Sequence, residues 1–242
     1  MKPNTSTQIT QIEPNHIVTR GIPQEELIES YSFAKTCYLL LKGKTPTDNE
    51  EKMLNSILVA CCDHGITPPS TQVTRIITSS GAPLNSAIAG GISSFGKNHS
   101  GALENAMKLY QQHITTNKKY TQEEINEIAE EIIQEYTDKK IPGLGHRYHT
   151  NDPRATRILE LAQKYNCQAN NTLLALSLED KMYQDKKIKL NIDGAAAAVL
   201  SDMGFHWKLG TGIFMIGRLP GLIAHSFEEY TSEEDFRKLI NL

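Results

Sequence analysis

Three histidines stand in glycine-bearing segments that break helices, instead of on helix faces. They are His64 in Asp63-His64-Gly65, His99 in Gly96-Lys97-Asn98-His99-Ser100-Gly101, and His146 in Pro142-Gly143-Leu144-Gly145-His146-Arg147. Glycine is tolerated where a ligand approaches the main chain or where φ is positive. An imidazole can donate or accept a proton near neutral pH. A surface loop or a helix cap explains any one of them more readily, but three together favour acid-base chemistry.

A carboxylate in an apolar setting is the second candidate group. Asp193 lies between Ile192 and Gly194, just before an alanine-rich segment. One explanation is a helix N-cap, because aspartate accepts backbone N–H groups there and suits the positive end of the helix dipole. The other is a carboxylate kept dry enough to act as a base. Both explanations stay open at this point.

Three arginines complete the set of candidates. Arg147 follows His146, Arg154 follows the turn signal Asp152-Pro153, and Arg218 stands inside an apolar helical segment. A charge in that last position needs a partner to offset its desolvation. The partner is either an internal carboxylate or a carboxylate ligand, which the guanidinium binds at two points.

The remaining histidines carry weaker signals. His149 lies close to His146 in sequence, so it stands near the same candidate group. The settings of the others indicate structural or exposed positions: His16, His113, His206 and His225.

Bulk composition excludes several classes of protein. The 242 residues are 39% hydrophobic and 22% charged, which is ordinary for a globular protein. A net charge of −3 gives no basic footprint for nucleic acid or for an acidic membrane surface, so an anionic ligand must be bound by local groups. Residues 1–10 are polar and lack the apolar core of a secretory signal, which predicts a frayed tail and a cytoplasmic protein.

Familiar cofactor and metal motifs are missing from the sequence. It contains no GxxxxGK[ST], no GxGxxG after a strand, no HExxH and no paired CxxC, so a nucleotide or metal site has little support. Four cysteines are too few and too unevenly spaced for a disulfide framework. Reduced and mostly buried thiols are therefore expected at Cys37, Cys61, Cys62 and Cys167.

Apolar residues recur with the 3.6-residue period of amphipathic helices, and few segments alternate with period two. Thr47 with Glu50 and Thr121 with Glu124 resemble capping boxes at helix starts. Small residues from Ala87 to Gly91 predict close packing against another helix. Further helices are predicted over 24–41, 48–62, 124–136, 173–183, 195–203 and 213–227, the last interrupted by Pro220. The sequence therefore predicts an all-α protein.

Taken in order along the chain, these segments resemble the citrate synthase superfamily. The most specific piece is Pro142-Gly143-Leu144-Gly145-His146-Arg147 followed by Asp152-Pro153-Arg154-Ala155, with Asn191-Ile192-Asp193-Gly194 downstream. The resemblance extends over nearly the whole chain, from Arg20-Gly21 to His225. It implies a citrate synthase-like fold with a large helical domain (1–100 and 214–242), a small helical domain (101–213) and the active site in the cleft between them. It also implies a homodimer or a higher homo-oligomer.

The resemblance also implies a role for each candidate residue. Asp193 matches the carboxylate that moves a proton on the acetyl methyl carbon, and His99 matches the histidine that hydrogen-bonds the thioester enolate oxygen. His146 matches the histidine that exchanges a proton with the oxygen of the 2-oxo acid part. His64, Arg154 and Arg218 match the ligands of its carboxylates, while Gly143, Gly145 and Arg147 are expected to contact coenzyme A.

The short form of the chain resembles citryl-CoA lyases and the lyase portion of ATP-citrate lyase. Two segments add to this resemblance, Asp63-His64-Gly65-Ile66-Thr67 and Gly145-His146-Arg147-Tyr148-His149. The implied reaction is cleavage of citryl-CoA into acetyl-CoA and oxaloacetate, with coenzyme A as part of the substrate and without a metal. One alternative is a citrate or 2-methylcitrate synthase that runs the condensation. Another is a non-catalytic CoA-binding protein or partner subunit.

Two positions depart from the family pattern. Ser100 stands where a second glycine is common after the histidine. At the C-terminal end, Arg237 is a candidate for a basic group that reaches a partner's site.

Overall fold

The structure is a computed structural model, and it describes residues 7–97, 99–115, 117–232 and 236. Helices make up most of these residues. About 64% of the structure is helical, which confirms the all-α prediction. The α-helices of the described residues are α1 (Gln24–Ser30), α2 (Phe33–Lys42), α3 (Asp48–Cys61), α4 (Pro69–Ser79), α5 (Leu84–Ser93), α6 (Gly101–His113), α7 (Gln122–Glu135), α8 (Pro153–Lys164), α9 (Asn170–Lys186), α10 (Ile192–Asp202) and α11 (Gly210–Ser232).

A small antiparallel sheet precedes the helices. Its strands are β1 (Thr10–Glu13), β2 (His16–Thr19) and β3 (Ile22–Pro23), in the order β1-β2-β3. The sequence does not predict this sheet, because strands of two to four residues are too short to show a period-two pattern. Thr10 pairs with Thr19, so the expected frayed tail is wrong at Thr10. Residues 1–6 of that tail lie outside the described residues.

The chain divides into two compact units, residues 1–55 and 56–242. In the first, the sheet and the first helices surround a core that includes Leu27, Ala34, Cys37, Tyr38 and Leu39. The second contains the remaining helices. The expected lobes, 1–100 with 214–242 and 101–213, stay a prediction, as does the homo-oligomer. Arg237 lies outside the described residues.

The expected helix starts are present. The side chain of Thr47 accepts the backbone N–H of Glu50 at 3.2 Å, and Glu50 accepts the backbone N–H of Thr47 at 2.8 Å. Thr121 and Glu124 form the same reciprocal pair at the start of α7. Both capping boxes are therefore confirmed, because each satisfies two N–H groups that lack a partner within the helix.

Helix α10 lies at the centre of the second unit. It packs against α6, α8 and α9, and its residues from Gly194 to Ser201 are buried. Four consecutive alanines, at 195–198, let the three neighbouring helices approach closely. The prediction for Ala87 to Gly91 is also confirmed, since a Cβ at Gly91 would lie 2.1 Å from Thr74 Oγ1 of α4.

Helix α11 continues through Pro220, so the predicted interruption is wrong. A proline inside a helix removes one backbone hydrogen bond and clashes with the preceding turn, yet packing against α4, α5 and α6 holds the segment helical. Over the described residues, this and every other helix is too short or too polar to cross a bilayer. The four cysteines, all among the described residues, are reduced thiols, and Cys37, Cys61 and Cys167 are buried.

Candidate active site

A cavity of about 690 Å³ in the second unit is lined by loops at helix ends. Side chains or backbone of all nine predicted site residues line it: His64, His99, Gly143, Gly145, His146, Arg147, Arg154, Asp193 and Arg218. The fold thus brings together groups that are far apart in the sequence. Their convergence makes one shared site, while their individual roles stay proposals.

Asp193 stands in the first turn of α10, but it is not the N-cap. Asn191 is the N-cap, and its side chain accepts the backbone N–H of Gly194 at 3.1 Å. The N-cap explanation for Asp193 is therefore wrong. Its Oδ1 is buried and has no hydrogen-bond partner among the described residues. Burial raises the pKa of Asp193 to about 6, despite the opposing charges of Arg154 and Arg218, so this carboxyl can gain or lose a proton near neutral pH.

His99 is held as a neutral hydrogen-bond donor. Its Nε2 lies 2.8 Å from Ser70 Oγ and 3.4 Å from the Ser70 backbone nitrogen, whose N–H can only donate. Nε2 therefore carries the lone pair, and the ring proton is on Nδ1. Burial lowers the pKa of His99 to about 4, so the ring is uncharged at neutral pH. The rings of Phe95 and Phe214 lie 5.2 and 6.2 Å from it, edge to face.

Ser100, the position that departs from the family pattern, lies in the loop that carries His99. Ser100 has φ 64°, in the left-handed region where glycine is favoured. A residue with a Cβ costs about 1–2 kcal/mol there. Backbone hydrogen bonds from Gly96 to His99 at 2.8 Å and from Gly101 to Gly96 at 3.1 Å close the loop. These bonds hold His99 in place although Ser100 is not glycine.

Three imidazoles lie close together, and two of them, His64 and His146, line the cavity. His64 Nε2 lies 3.4 Å from His149 Nε2, and the ring centres of His146 and His149 are 4.6 Å apart. One ring nitrogen from each lies within 4.8 Å of the others, a spacing that metal ligands also show. Burial is the main cause that lowers the pKa of His64. The positive charges of Arg154 and Arg218 lower it further. That charge opposes a cation and favours an anion such as a carboxylate.

Arg154 and Arg218 bring two guanidinium groups to the cavity. Arg154 pairs with the buried Asp152 at 2.9 Å and is about one-fifth exposed. Arg218 is buried, and its Nε donates to the backbone carbonyl of Cys61 at 2.7 Å. Its Nη1 has no partner, and Arg218 forms no ion pair within the described ranges. A buried cation with an unused donor is suited to an incoming carboxylate.

The glycine loop before His146 is fastened to the residues before Asp193. The backbone carbonyl of Gly143 accepts the N–H of Asn191 at 3.0 Å, and Asn191 Nδ2 donates to the carbonyl of Gly145 at 2.6 Å. A Cβ at Gly143 would lie 2.4 Å from the Cα of Gly194. Glycine is therefore required at Gly143 by close packing as well as by its φ of 84°.

Several residues that contribute to the site were not predicted. Ser70, Asn191 and Asp152 position other groups through hydrogen bonds, and no local pattern reveals such a partner. Exposed lysines also line the cavity: Lys97, Lys139, Lys140 and Lys186. With Arg147 they form a basic rim of five residues in a chain whose net charge is −3. The pair Lys139-Lys140 before the glycine loop is a signal that could have indicated this rim.

The citryl-CoA lyase from Hydrogenobacter thermophilus has a similar structure, with a TM-score of 0.88 and 39% sequence identity over 98% of this chain and 91% of that one. An ATP citrate lyase from Methanothrix soehngenii, solved with citrate and coenzyme A, shares the fold: its TM-score is 0.83 at 19% identity, over 100% of this chain and 41% of that one. A citrate synthase from Heyndrickxia coagulans is 30% identical over 92% of this chain and 58% of its own length.

The chain thus spans a little over half the length of the curated relatives it matches. The family model "Citrate synthase, C-terminal domain" matches residues 44–240, which is most of the chain. On this match, the chain belongs to the citrate synthase family.

Proposed function

We propose that the protein is a citryl-CoA lyase, which cleaves citryl-CoA into acetyl-CoA and oxaloacetate. The observation that carries this proposal is the likeness to the Hydrogenobacter thermophilus citryl-CoA lyase, which extends over 91% of that chain at 39% identity. The cavity adds support, since a carboxyl, imidazoles and guanidinium groups face one space of about 690 Å³. That volume is within the range of small-molecule sites.

Cleavage of the carbon-carbon bond leaves its electron pair on the acetyl part as a thioester enolate. The neutral Nδ1–H of His99 donates to the enolate oxygen, and one preorganised donor of this kind contributes about 3 kcal/mol. Asp193, whose pKa burial raises to about 6, delivers a proton to the enolate carbon. In the condensing direction the same carboxylate removes that proton.

The carboxylates of the 2-oxo acid part are bound at the other end of the cavity. Arg218 offers its unpaired Nη1, and Arg154 is oriented by Asp152. His64 lies beside them, and His146 faces the oxygen that is a hydroxyl in citryl-CoA and a carbonyl in oxaloacetate. Two guanidinium groups suit a substrate with several carboxylates, because each binds a carboxylate at two points.

The basic rim accounts for the other end of the substrate. Coenzyme A carries several phosphate charges, and the rim is formed by Lys97, Lys139, Lys140, Arg147 and Lys186. Gly143 and Gly145 line the same cavity, and we expect the thioester arm to pass along their backbone. Coenzyme A is thus part of the substrate, and the proposed steps use no metal.

The second candidate is a citrate or 2-methylcitrate synthase. It is favoured by the curated relatives, among them the citrate synthase from Heyndrickxia coagulans and the 2-methylcitrate synthase from Shewanella oneidensis, at 30% and 29% identity. Cleavage and condensation use the same acid-base groups, so the site serves both directions. A non-catalytic CoA-binding role is the third candidate.

The test presents the purified protein with citryl-CoA, and separately with acetyl-CoA or propionyl-CoA plus oxaloacetate. Formation of oxaloacetate and acetyl-CoA in the first mixture, without free thiol, is the expected result. Fast release of free thiol in the other mixtures would assign a synthase instead. Binding of CoA without turnover in any mixture would support the non-catalytic role. Asp193→Asn is the inactive control, and Glu160→Gln on the exposed face of α8 is the matched active control.

A further inference from the structure

Helix α11 lies directly against the end of α3. A Cβ at Gly221 would lie 2.2 Å from the carbonyl oxygen of Cys62, and a Cβ at Gly217 would lie 2.8 Å from the Cβ of Cys61. Residues four apart stand on one face of a helix, so this face of α11 touches the end of α3. Arg218 follows Gly217, and its Nε donates to the backbone carbonyl of Cys61 at 2.7 Å. The end of α3 therefore sets the position of Arg218.

The turn Asp63-His64-Gly65 comes directly after this contact. Asp63 Oδ2 accepts the backbone N–H of Gly65 at 3.0 Å, and Gly65 has φ 64°. A side chain that bonds the backbone two residues on fixes the turn, and His64 with it. The other oxygen, Asp63 Oδ1, lies 3.0 Å from Nε2 of His225 on α11. One carboxylate thus closes the turn and joins it to α11.

The contact between Asp63 and His225 has a clear donor and a clear acceptor. Burial alone would raise the pKa of Asp63, but the backbone N–H of Gly65 and the ring of His225 hold it below its ordinary value. Asp63 is therefore ionised at neutral pH and can only accept, so Nε2 of His225 carries a proton. Glu228 also faces this ring, but it lies 3.8 Å from Nδ1 and pairs with Arg75 at 2.7 Å. Asp63 is thus the nearer carboxylate and the hydrogen-bond acceptor of His225.

His64 also forms hydrogen bonds within its own loop. Thr67 Oγ1 lies 3.1 Å from His64 Nδ1, and the same hydroxyl donates to the backbone carbonyl of His64 at 3.2 Å. Such bonds shape the loop without fixing it relative to another helix. The close approach at Gly221 limits how near α11 can come to the turn, whereas the bond between Asp63 and His225 opposes their separation. This bond therefore holds the turn against α11.

We propose that His225 is a positioning residue of the active site, which acts through Asp63. The bond between them holds His64 in place relative to Arg218 and so sets the affinity for the carboxylates of the 2-oxo acid part. This inference rests on the proposed function, in which His64 and Arg218 bind those carboxylates. It gives His225 a role that its setting in the sequence did not suggest.

The exposure of the pair favours a local effect over a global one. The side chain of Asp63 is 45% exposed and that of His225 is 15% exposed. An ion pair that water reaches contributes little to the free energy of unfolding. A displacement of about 1 Å at a site, by contrast, can lower activity by about 100-fold. Loss of the pair should therefore change the affinity for substrate more than it changes folding.

Two variants of His225 test the role of its N–H group. His225→Ala removes the donor, whereas the amide of His225→Gln can still donate to Asp63. We expect His225→Ala to raise KM for citryl-CoA about 10-fold with kcat changed less than about threefold, because ground-state binding is lost. His225→Gln should bring KM back to within about threefold of the wild type. A normal KM in His225→Ala, or no recovery in His225→Gln, would overturn the inference.

His113→Ala is the matched control. His113 is also half-buried, and its Nδ1 lies 2.9 Å from the backbone carbonyl of Leu109 in α6. This variant should leave KM for citryl-CoA unchanged. A rise in KM as large as that of His225→Ala would point to a general loss of stability and would rule out a specific role for His225.

A double-mutant cycle tests whether His225 acts through Asp63. Asp63→Ala should raise KM at least as much as His225→Ala, since it also frees the backbone N–H of Gly65. The double variant should then be no worse than Asp63→Ala alone, because the two residues share one contact. Effects that multiply in the double variant would exclude Asp63 as the link.

Binding of citrate separates this inference from the proposed function. Calorimetry should give a Kd for citrate about 10-fold higher in His225→Ala than in the wild type, whereas the Kd for coenzyme A alone should be the same. Equal Kd values for citrate contradict the inference even if the protein cleaves citryl-CoA. Weaker binding of citrate in a protein that turns over no acyl-CoA would support the positioning role of His225 and refute the proposed function.

Discussion

Asp152 Oδ2 accepts the backbone N–H of Ile192 at 3.0 Å, across 40 residues of sequence. The same oxygen accepts Nη2 of Arg154 at 2.9 Å. Burial alone would raise the pKa of Asp152, but these hydrogen bonds and the charge of Arg154 hold it below its ordinary value. One ionised carboxylate thus joins the start of α8, which carries Arg154, to the residue before Asp193.

Asp152→Asn removes this charge while keeping the size of the side chain. We expect the free energy of unfolding to fall by about 2 kcal/mol, because Arg154 loses its charged partner at a buried position. The melting temperature should drop by about 4–8 °C. Displacement of Arg154 should also lower kcat/KM by about 100-fold.

Glu160→Gln, at an exposed ion pair on the same helix, is the control and should change the free energy of unfolding by less than about 0.5 kcal/mol. Equal effects of the two variants would show that Asp152 does not anchor the site.

At neutral pH, the buried carboxylate of Asp193 lowers the free energy of unfolding. Its pKa is raised by burial from 3.8 to about 6, so the folded state binds more protons than the unfolded state between these values. The contribution of Asp193 to the free energy of unfolding therefore falls as pH rises through this window and stays low above it. Asp193→Asn should then be more stable than the wild type by up to about 3 kcal/mol at pH 8, and by about half as much at pH 5. Urea unfolding at the two pH values measures this difference. A variant that is less stable at pH 8 would contradict it.

The same carboxyl predicts how cleavage depends on pH. Cleavage needs the protonated acid, so kcat/KM for citryl-CoA should fall as pH rises above about 6. Initial rates of cleavage between pH 5 and pH 8 provide the measurement. A kcat/KM for citryl-CoA that does not change over this range would exclude Asp193 as the group that titrates.

Gly143 and Gly194 touch so closely that neither should accept a side chain. A Cβ at Gly194 would lie 2.3 Å from the Gly143 carbonyl oxygen, and Gly143 has φ 84°. Gly143→Ala should therefore lose about 3 kcal/mol or more in stability, from overpacking and from backbone strain together. The matched control is Gly212→Ala in α11, where a Cβ meets open space. That variant should be unchanged or stabilised by about 0.5–1 kcal/mol. Thermal unfolding compares the two, and a mild effect at Gly143 would mean that its loop can move away from the start of α10.

Much of the helical architecture follows from local signals. Thr121 with Glu124 predicted the start of α7 because a capping box involves only four consecutive residues. Helix α2 ends at Lys42, one residue beyond the predicted end at 41, and Gly43 with φ 72° is its C-cap. The sheet at residues 10–23 and the passage of α11 through Pro220 were not predictable in this way. Both depend on packing, which overrides weak local preferences.

The sequence alone determined which side chains are candidates for catalysis and which chemistry to expect. It did so through the residue types of Asp193, His99 and His146 and through the resemblance of their segments to the citrate synthase superfamily. Only the tertiary structure decided that Asn191, and not Asp193, caps α10, and that Asp193 is buried enough for a pKa of about 6. It also decided which nitrogen of His99 carries the lone pair, because the backbone N–H of Ser70 points at Nε2. Caps and periodicity depend on neighbours within a few residues, whereas desolvation and ring hydrogen bonds depend on groups that folding brings together from distant parts of the chain.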